Sequence, residues 1–376
     1  VIGVGEGSWP ALVEHLQQLT DLPNDDVQQH LRGTRKYGVA FEGWGRCDQD
    51  FTHFFSPKDV AYAYHLSADY LAELLYERTR AQHIDAKVLD ITRIEGGAEV
   101  TFEGREPERY DLVFDARGFP RELNPKDHID ISFIPTNTAC IRRCPTLFDA
   151  KRDGPVLQHT YTRAVARPHG WVFVIPLTVH TSYGYIFNRD LSELDEVQAD
   201  FDAFLESDGV SEFEPRSVIP FPNFVNRRIY DGAIARIGNA AAFMEPLEAT
   251  AIVSAQIQIG MILHMRLNRP GEYADGDAEA VNRFLVNNML CYGLFVGWHY
   301  SCGSKFDSPF WQHAKDHVWP SHSTAAAPEA VDCKALAQFN EMLEFLKRPD
   351  LSEADWARMC AVPLTSYDQM ARGLGC

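Results

Sequence analysis

The chain has 376 residues, of which 45% are hydrophobic and 12% aromatic, and this is the composition of a globular protein with length enough for two or three cores. Its 53 acidic and 35 basic residues give a formal charge of −18, which argues against nucleic acid and anionic membrane surfaces as partners. This charge therefore predicts a small-molecule partner. No apolar run reaches the roughly 18 residues of a membrane span.

The first predicted elements are those of a nucleotide-binding α/β domain. VIGVGEGSWP, residues 1–10, is typical of a strand that runs into a glycine turn, and we expect further residues before Val1 in the natural protein. Residues 60–82 carry apolar side chains at helical spacing, and residues 86–104 alternate like two paired strands around a Gly-Gly turn. An apolar strand then ends at Asp115, with Gly118 shortly after it.

The rest of the chain has a different character. Residues 130–230 are rich in aromatic and β-branched side chains and predict a second sheet that covers the ligand. From Ile252 onward the pattern is mostly helical, interrupted by a Pro-rich tract at 320–330. We therefore predict an α/β fold in which a Rossmann-like module carries an interleaved second sheet and a helical C-terminal region.

A small-residue loop precedes one of the predicted helices. The strand ARIGN, residues 235–239, leads into Gly238 and Asn239, and the helix is expected to start at about Thr250. Small residues let a backbone approach a flat or phosphorylated ligand, and a helix start offers free N–H groups to an anion. The alternative, that the alanines simply pack between sheet and helix, stays equally open.

Two glutamates, Glu245 and Glu248, flank Pro246 in this loop. Proline cannot donate a hydrogen bond and fixes the turn. Capping of the helix is the default interpretation of a carboxylate here, and a catalytic acid or base among apolar neighbours such as Phe243 is the alternative.

Several other polar or aromatic residues have both a functional and an ordinary interpretation. Lys36 leads into an alternating apolar segment, where a solvated charge is the commoner role. Asp115 either contacts a ligand or caps a turn. The aromatic pairs at alternate positions of the segments GWVFVIP and FTHFF are most simply core residues: Trp171 and Phe173, His53 and Phe55.

Eight cysteines are scattered along the chain without a CxxC pair, and only Cys140 and Cys144 are close. Structural zinc sites usually need four ligands at regular spacing. We read the cysteines as reduced thiols of a cytoplasmic protein and predict no metal site.

Taken together and in this order, the motifs resemble the flavin-dependent halogenases of the tryptophan halogenase type. The segments that carry the resemblance are VGEGSWP (4–10), GTRKYGVAF (33–41), GWVFVIP (170–176) and GNAAAFMEPLEATAI (238–252). The third is similar to the WxWxIP motif of that family and the fourth to its GNAxxFxEPLESTGI segment. FDARGF (114–119) is similar to the second flavin-contacting strand, and the likeness extends to Trp311.

The resemblance implies an enzyme that uses FADH2 and O2 to oxidise chloride or bromide to hypohalous acid, which then halogenates an indole-like or other electron-rich aromatic ring. Lys36 would bind or capture the active halogen, and Glu248 would accept the proton that the arene releases. The halide would lie against the backbone amides of Thr250 and Ala251. His53 and Phe55 would sandwich the substrate ring.

The resemblance also implies a flavin monooxygenase-type FAD module and a separate flavin reductase as partner. We assign residues 1–50, 83–122 and 231–265 to this module, and residues 51–82, 123–230 and 266–376 to the substrate-binding region. A homodimer is left open. The residues expected to contact FAD are Gly5, Glu6, Asp115, Gly118, Trp171, Gly238, Asn239, Phe243 and Pro246.

The chain departs from the family pattern in four places. The GxGxxG turn would lie before Val1, and Phe173 replaces the second tryptophan of WxWxIP. Ala249 and Ala251 replace a serine and a glycine, which narrows the expected halide pocket. The segment between Trp44 and Tyr62 and the C-terminal tail are short, so tryptophan, free indole, another arene and a carrier-bound substrate all remain open.

Two other functions stay open at this point. A flavin-dependent aromatic monooxygenase would need no lysine such as Lys36 at the far end of a tunnel from the flavin. A non-catalytic flavin-binding protein would need neither Lys36 nor Glu248.

Overall fold

The computed structural model describes residues 6–46, 49–56, 61–146, 161–214, 217–268, 275–317 and 362–375. Its helices are α1 (Ala11–Thr20), α2 (Asn24–His30), α3 (Ala68–Arg78), α4 (Leu194–Ser207), α5 (Thr250–Asn268), α6 (Asp275–Ser301), α7 (Pro309–His317) and α8 (Leu364–Leu374). Its strands are β1 (Glu6–Gly7), β2 (Thr34–Lys36), β3 (Gly38–Glu42), β4 (Phe51–Phe54), β5 (Ala63–Leu66), β6 (Val88–Ile94), β7 (Gly97–Phe102), β8 (Glu108–Tyr110), β9 (Val113–Asp115), β10 (His128–Asp130), β11 (Thr138–Pro145), β12 (Tyr161–Arg167), β13 (Gly170–Pro176), β14 (His180–Phe187), β15 (Ser217–Pro220), β16 (Phe224–Asn226), β17 (Ile234–Arg236) and β18 (Ala242–Phe243).

A seven-stranded sheet forms the centre of the fold, in the order β15-β11-β14-β13-β12-β3-β4. Its strands pair antiparallel except β3 and β12, which run parallel. Every residue of β13 is buried, because Trp171, Phe173 and Ile175 face the main core while Val172 and Val174 face the cluster under α4. A strand covered on both faces reads as a continuous apolar run, which is why GWVFVIP has no polar position.

A smaller sheet of order β1-β5-β2 packs against the first helices and carries Lys36 at the end of β2. The prediction of one helix over residues 60–82 is wrong for its first part, since Ala63–Leu66 is a strand and α3 begins only at Ala68. All four residues of β5 are buried. A short apolar run fits either a helix or a strand, and here the pairing with β1 and β2 decides.

The remaining strands complete a mixed α/β fold, as predicted. β6 and β7 form the predicted hairpin, with Gly96 at a φ of +77° in its turn. β9 and β17 pair in parallel, and β10, β16 and β18 form a further small sheet.

The strand pairing crosses the predicted domain ranges, whose boundaries stay a prediction. β3 comes from the range 1–50 but joins the seven-stranded sheet, whereas β5 comes from the range 51–82 but pairs with β1 and β2. The two predicted regions are therefore connected through their sheets.

From Thr250 onward the described residues are mostly helical, and α5 begins at Thr250 as predicted. α8 packs on β4, where the side chain of Gln369 accepts a hydrogen bond from the backbone N–H of Phe54 at 2.8 Å. Cys302 is disulfide-bonded, so the prediction of reduced cysteines is wrong for this residue.

No helix among the described residues combines the length and the apolar character needed to cross a membrane.

Candidate active site

The loop between β18 and α5 positions Glu248. Trp9, just after β1, donates its indole N–H to the backbone oxygen of Glu248 at 2.8 Å. Pro246 starts a tight turn, since its carbonyl accepts from the N–H of Ala249 at 3.0 Å. Ala249 then has a φ of +53°, in the left-handed region that favours glycine. The backbone is thus turned sharply at Glu248, immediately before the first residue of α5.

Because Ala249 has a left-handed φ, the stability of a variant at this position should depend on how easily the new residue adopts that conformation. We expect Ala249→Val to destabilise the protein by about 2 kcal/mol, since a β-branched residue rarely adopts this conformation. Ala249→Gly should change stability by about 1 kcal/mol or less, because relief of strain offsets the entropy of glycine in the unfolded chain. Chemical denaturation of both variants tests this, and equal stabilities would contradict it.

The Glu248 side chain is 4% exposed and lies between two imidazole rings. Its Oε1 is 2.8 Å from Nε2 of His299, and its Oε2 is 3.4 Å from Nδ1 of His53. Burial opposes ionisation of the carboxyl, but the positive potential of His53 and the hydrogen bonds from both rings outweigh it. They hold the pKa of Glu248 well below its usual range, so this carboxylate is an anion at every working pH.

Lys36 is 1% exposed, and its ammonium lies 5.3 Å from the centroid of the Phe55 ring. No other described residue forms a hydrogen bond or an ion pair with its Nζ within 4 Å. Burial lowers the pKa of Lys36 to about 8, partly opposed by the charge of Glu248. An amine in this position exchanges between its charged and neutral forms near physiological pH.

The backbone of β1 passes close to this amine. A methyl group added at Gly7 would lie 3.0 Å from Nζ of Lys36 and 3.2 Å from Cβ of Ala249. Lys36 and the Glu248 loop therefore both pack closely against the backbone of β1 at Gly7, where a side chain would crowd them.

Glu245 differs from Glu248 in its partners, which are hydroxyl groups and not imidazole rings. It is fully buried, and its carboxyl accepts hydrogen bonds from the hydroxyl of Tyr300 at 2.6 and 2.7 Å and from Thr136. Burial raises the pKa of Glu245 to about 7, against the effect of these hydrogen bonds. The described contacts of both glutamates go to side chains, so the default interpretation of helix capping is wrong.

The raised pKa of Glu245 has a consequence for stability. Because its folded pKa of about 7 exceeds the usual value of 4.5, its contribution is fully present below pH 4.5 and is lost as the pH rises through 7. The loss amounts to about 3 kcal/mol from this group alone. We expect Glu245→Gln, which stays neutral, to be relatively more stable at pH 8 than at pH 5. Urea denaturation at both pH values tests this, and a constant difference from the wild type would contradict it.

A cavity of about 590 Å³ opens at the carboxyl ends of the parallel strands β9 and β17. Asp115 and Gly118 line it together with Arg117, Arg121 and Arg236. Gly118 has a φ of +95°, and Asp115 accepts two hydrogen bonds of 2.9 Å from Arg117. The carboxyl edge of parallel strands is a common nucleotide site, and guanidinium groups suit phosphates. In size and chemistry this cavity fits part of a dinucleotide such as FAD.

A second, narrower cleft lies on the other side of the short 3₁₀ turn Gly238–Ala240. The predicted flavin and halide residues that line it are Gly238, Asn239, Phe243, Thr250 and Ala251. The first amides of α5 point their N–H groups away from any intrahelical acceptor and carry a partial positive charge. The cleft has a volume of about 20 Å³, so it has room for one small anion beside these amides.

The other predicted site residues are dispersed. Trp171 is a core residue of β13 that packs edge-to-face on Trp44. Pro246 is exposed, while Glu6 is half-buried at the start of β1, where burial raises its pKa to about 7. Gly5 lies outside the described residues.

His53 and Phe55, predicted to sandwich the substrate ring, lie near Glu248 and Lys36. Phe55 contacts Lys36, as described above. His53 is buried on β4 between Glu248 and α8, where its Nε2 is 2.9 Å from Oγ of Ser366. Their role toward a substrate ring stays a prediction.

Sequence reasoning missed His299, which is fully buried on α6. It lies 51 positions from Glu248, and its one sequence signal is a polar residue inside the apolar stretch LFVGWHY. His65 was missed as well. It bridges Thr34 and Thr162 at 2.9 and 3.0 Å beside Lys36, and burial followed by the charge of Lys36 holds its pKa well below the usual range.

Comparison with known proteins shows the family of this chain. The family model described as tryptophan halogenase matches residues 1–59 and 56–343. Tryptophan 6-halogenase SttH of Streptomyces toxytricini is 25% identical over 276 residues, which cover 69% of this chain and 50% of that protein. Tryptophan 7-halogenase RebH of Lentzea aerocolonigenes is 26% identical over 272 residues, covering 67% and 47%. The chain thus spans about half the length of these curated relatives.

Solved structures show the same fold at lower identity. The crystal structure of SttH superposes with a TM-score of 0.78 at 20% identity and covers 100% of this chain and 82% of that one. BrvH, a flavin-dependent halogenase from Brevundimonas sp. BAL3, gives a TM-score of 0.79 at 20% identity, covering 99% and 82%. Since the family model spans most of its length, the chain belongs to the tryptophan halogenase family.

Proposed function

We propose that this protein is an FADH2-dependent halogenase that oxidises chloride or bromide with O2 to hypohalous acid and halogenates an indole-like or other electron-rich aromatic substrate. One observation carries the proposal. In a chain of this family, a fully buried lysine without a described ion pair lies next to a fully buried, ionised glutamate, at the residues Lys36 and Glu248. Keeping both groups away from water is costly, and an active site is a common reason for it.

Members of this family use FADH2 and a halide ion. In the proposed enzyme the cavity lined by Asp115 and Gly118 would hold part of the dinucleotide, and the planar ring system would lie against Gly238, Asn239 and Phe243. When bound, FADH2 would supply two of the four electrons that reduce O2, and the halide would supply the other two as it is oxidised to hypohalous acid. The backbone amides of Thr250 and Ala251, at the positive end of α5, hold the halide in that cleft.

Lys36 receives the active halogen. Its ammonium form donates hydrogen bonds to hypohalous acid, and its neutral form can capture the halogen directly. Because the pKa of Lys36 lies near 8, both forms are populated in the working range. Gly7 has no side chain, so the backbone of β1 packs directly against this amine and Ala249 without filling the position between them.

Glu248 is the proton acceptor of the proposed reaction. It is an anion at every working pH and faces His53, so it can stabilise the positive charge that the arene acquires and take up the proton it then loses. His53 and Phe55, adjacent to the two reactive groups, are proposed to hold the substrate ring.

The proposal also includes the partner and the setting. A separate flavin reductase supplies FADH2, and the protein acts in the cytoplasm on a small aromatic molecule. The strong negative charge of −18 agrees with a small-molecule substrate rather than a nucleic acid.

The test is a product assay. The protein would be incubated with FAD, a flavin reductase, NADH, O2 and either chloride or bromide, over a panel of indoles and phenols, with products read by mass spectrometry. A halogen isotope pattern on any arene, absent when the halide is omitted, is the expected result. Hydroxylated products or peroxide alone with every arene would contradict the proposal and favour a monooxygenase or a flavin-binding protein.

A further inference from the structure

His53 has a polar partner on each side of its ring. Its Nε2 is 2.9 Å from Oγ of Ser366 on α8, and its Nδ1 is 3.4 Å from Oε2 of Glu248. All three side chains are buried. Because the contact with the hydroxyl is the shorter of the two, Ser366 is the stronger anchor of the ring, although it lies 313 positions away along the chain.

These two contacts fix the orientation of the His53 ring. Both are made by ring nitrogens, which lie in the plane of the ring, so together they fix that plane. A ring turned by half a revolution about its bond to Cβ would present C–H groups at both places and lose both contacts. A hydroxyl can donate or accept, so Ser366 serves Nε2 whether or not this atom carries a hydrogen. The orientation therefore does not depend on the charge of His53.

Helix α8 is held against β4 by contacts of its own. The side-chain amide of Gln369, one turn after Ser366, accepts from the backbone N–H of Phe54 at 2.8 Å and donates to its carbonyl at 3.2 Å. A methyl group added at Gly373 would collide with the ring of Phe51, so helix and strand also touch closely there. Since β4 is the last strand of the seven-stranded sheet, Gln369 covers hydrogen-bonding groups of its open edge. The position of Ser366 is thus set by the docking of α8 along this strand.

The orientation of His53 matters for Glu248 and for a flat ligand. Because His299 lies 2.8 Å from Oε1 of Glu248, Oε2 is the oxygen that His53 faces. The contacts with Glu248 and Ser366 use the edge of the His53 ring and not its faces. An aromatic ring of fixed plane offers a flat ligand one stacking geometry. The plane of His53 therefore sets the angle at which an arene can lie beside the proposed proton acceptor.

We propose that Ser366 is a positioning residue of the active site, whose hydroxyl holds His53 so that Nδ1 faces Glu248 and the plane of the ring is set for an aromatic substrate. The inference rests on the proposed function, in which His53 holds the substrate ring. Through Ser366, helix α8 takes part in determining how the arene is oriented and hence which ring position is halogenated.

The variant that tests this is Ser366→Ala, and Thr365→Ala is the matched control. Thr365 precedes Ser366 on α8 and is exposed, so its variant loses a hydroxyl away from the site. With indole as the probe, we expect Ser366→Ala to raise KM for the arene about 5- to 10-fold, to change kcat less, and to spread the halogen over more ring positions. Thr365→Ala should behave as the wild type. An unchanged KM and isomer ratio in Ser366→Ala, or equal changes in both variants, would overturn the inference.

A second measurement does not depend on turnover. A carboxylate can only accept, so the wild type labelled with ¹⁵N-histidine should show an Nδ1–H signal of His53 that exchanges slowly with water, assigned by its absence from His53→Gln. This signal should broaden or vanish in Ser366→Ala, where the ring can turn, and persist in Thr365→Ala. Its absence from the wild type, or its persistence in Ser366→Ala, would overturn the inference. Failure to halogenate any arene would remove the proposed function, and these spectra would still decide whether Ser366 holds the ring.

Discussion

Lys36→Met should reduce halogenation by about 100-fold or more while leaving flavin binding unchanged. Methionine fills the space of the lysine stem but offers no amine to the active halogen. Because the ammonium is buried without a described ion pair, its removal should not lower the free energy of unfolding. Product formation per reduced flavin, measured by mass spectrometry, and FAD affinity, measured by fluorescence titration, would together test this.

Arg35→Met is the control for this prediction. Arg35 is the preceding residue on β2, and its side chain is 35% exposed and bonds to Asp25 at 2.7 Å. Alternate residues of a strand point to opposite faces, so this variant removes a neighbouring positive charge without touching the Lys36 space. Halogenation by Lys36→Met at the rate of Arg35→Met would refute the role of the lysine.

Glu248→Gln should reduce the halogenation rate by about 10² to 10⁴-fold, because it replaces the buried anion with a neutral amide of the same shape. The amide cannot take up the proton of the arene, and His299 also loses its charge partner. Single-turnover assays with preformed hypohalous acid would separate this step from halide oxidation, and the defect should persist there.

Glu245→Gln is the matched comparison, since the two glutamates are only three residues apart. Glu245 contacts Tyr300 and Thr136 and stands away from the two histidines, so its variant should halogenate at close to the wild-type rate. Equal activity losses in the two variants would mean that the loop as a whole, rather than the Glu248 carboxylate, is needed.

The local sequence pattern predicted an element correctly where the residues of that segment determine its structure by themselves. The unbroken apolar run of β13, the glycines of the β6–β7 hairpin and the small-to-apolar change at Thr250 each predicted the observed element. The prediction for residues 63–66 was wrong. Their apolar side chains suit a helix as well as a strand, and pairing with β1 and β2, distant in sequence, decided between them.

The candidate site also depends partly on local sequence and partly on contacts between residues distant in sequence. Sequence alone determined the family resemblance and the turn at Pro246, and through the resemblance it predicts Lys36 and Glu248 as the reactive pair. The tertiary structure added the physical difference between Glu248 and Glu245, which flank the same proline: His299 and His53 lie against the first, and Tyr300 and Thr136 lie against the second. The ionisation of a buried carboxyl depends on its surroundings in space, and those surroundings come from residues at least 51 positions away along the chain.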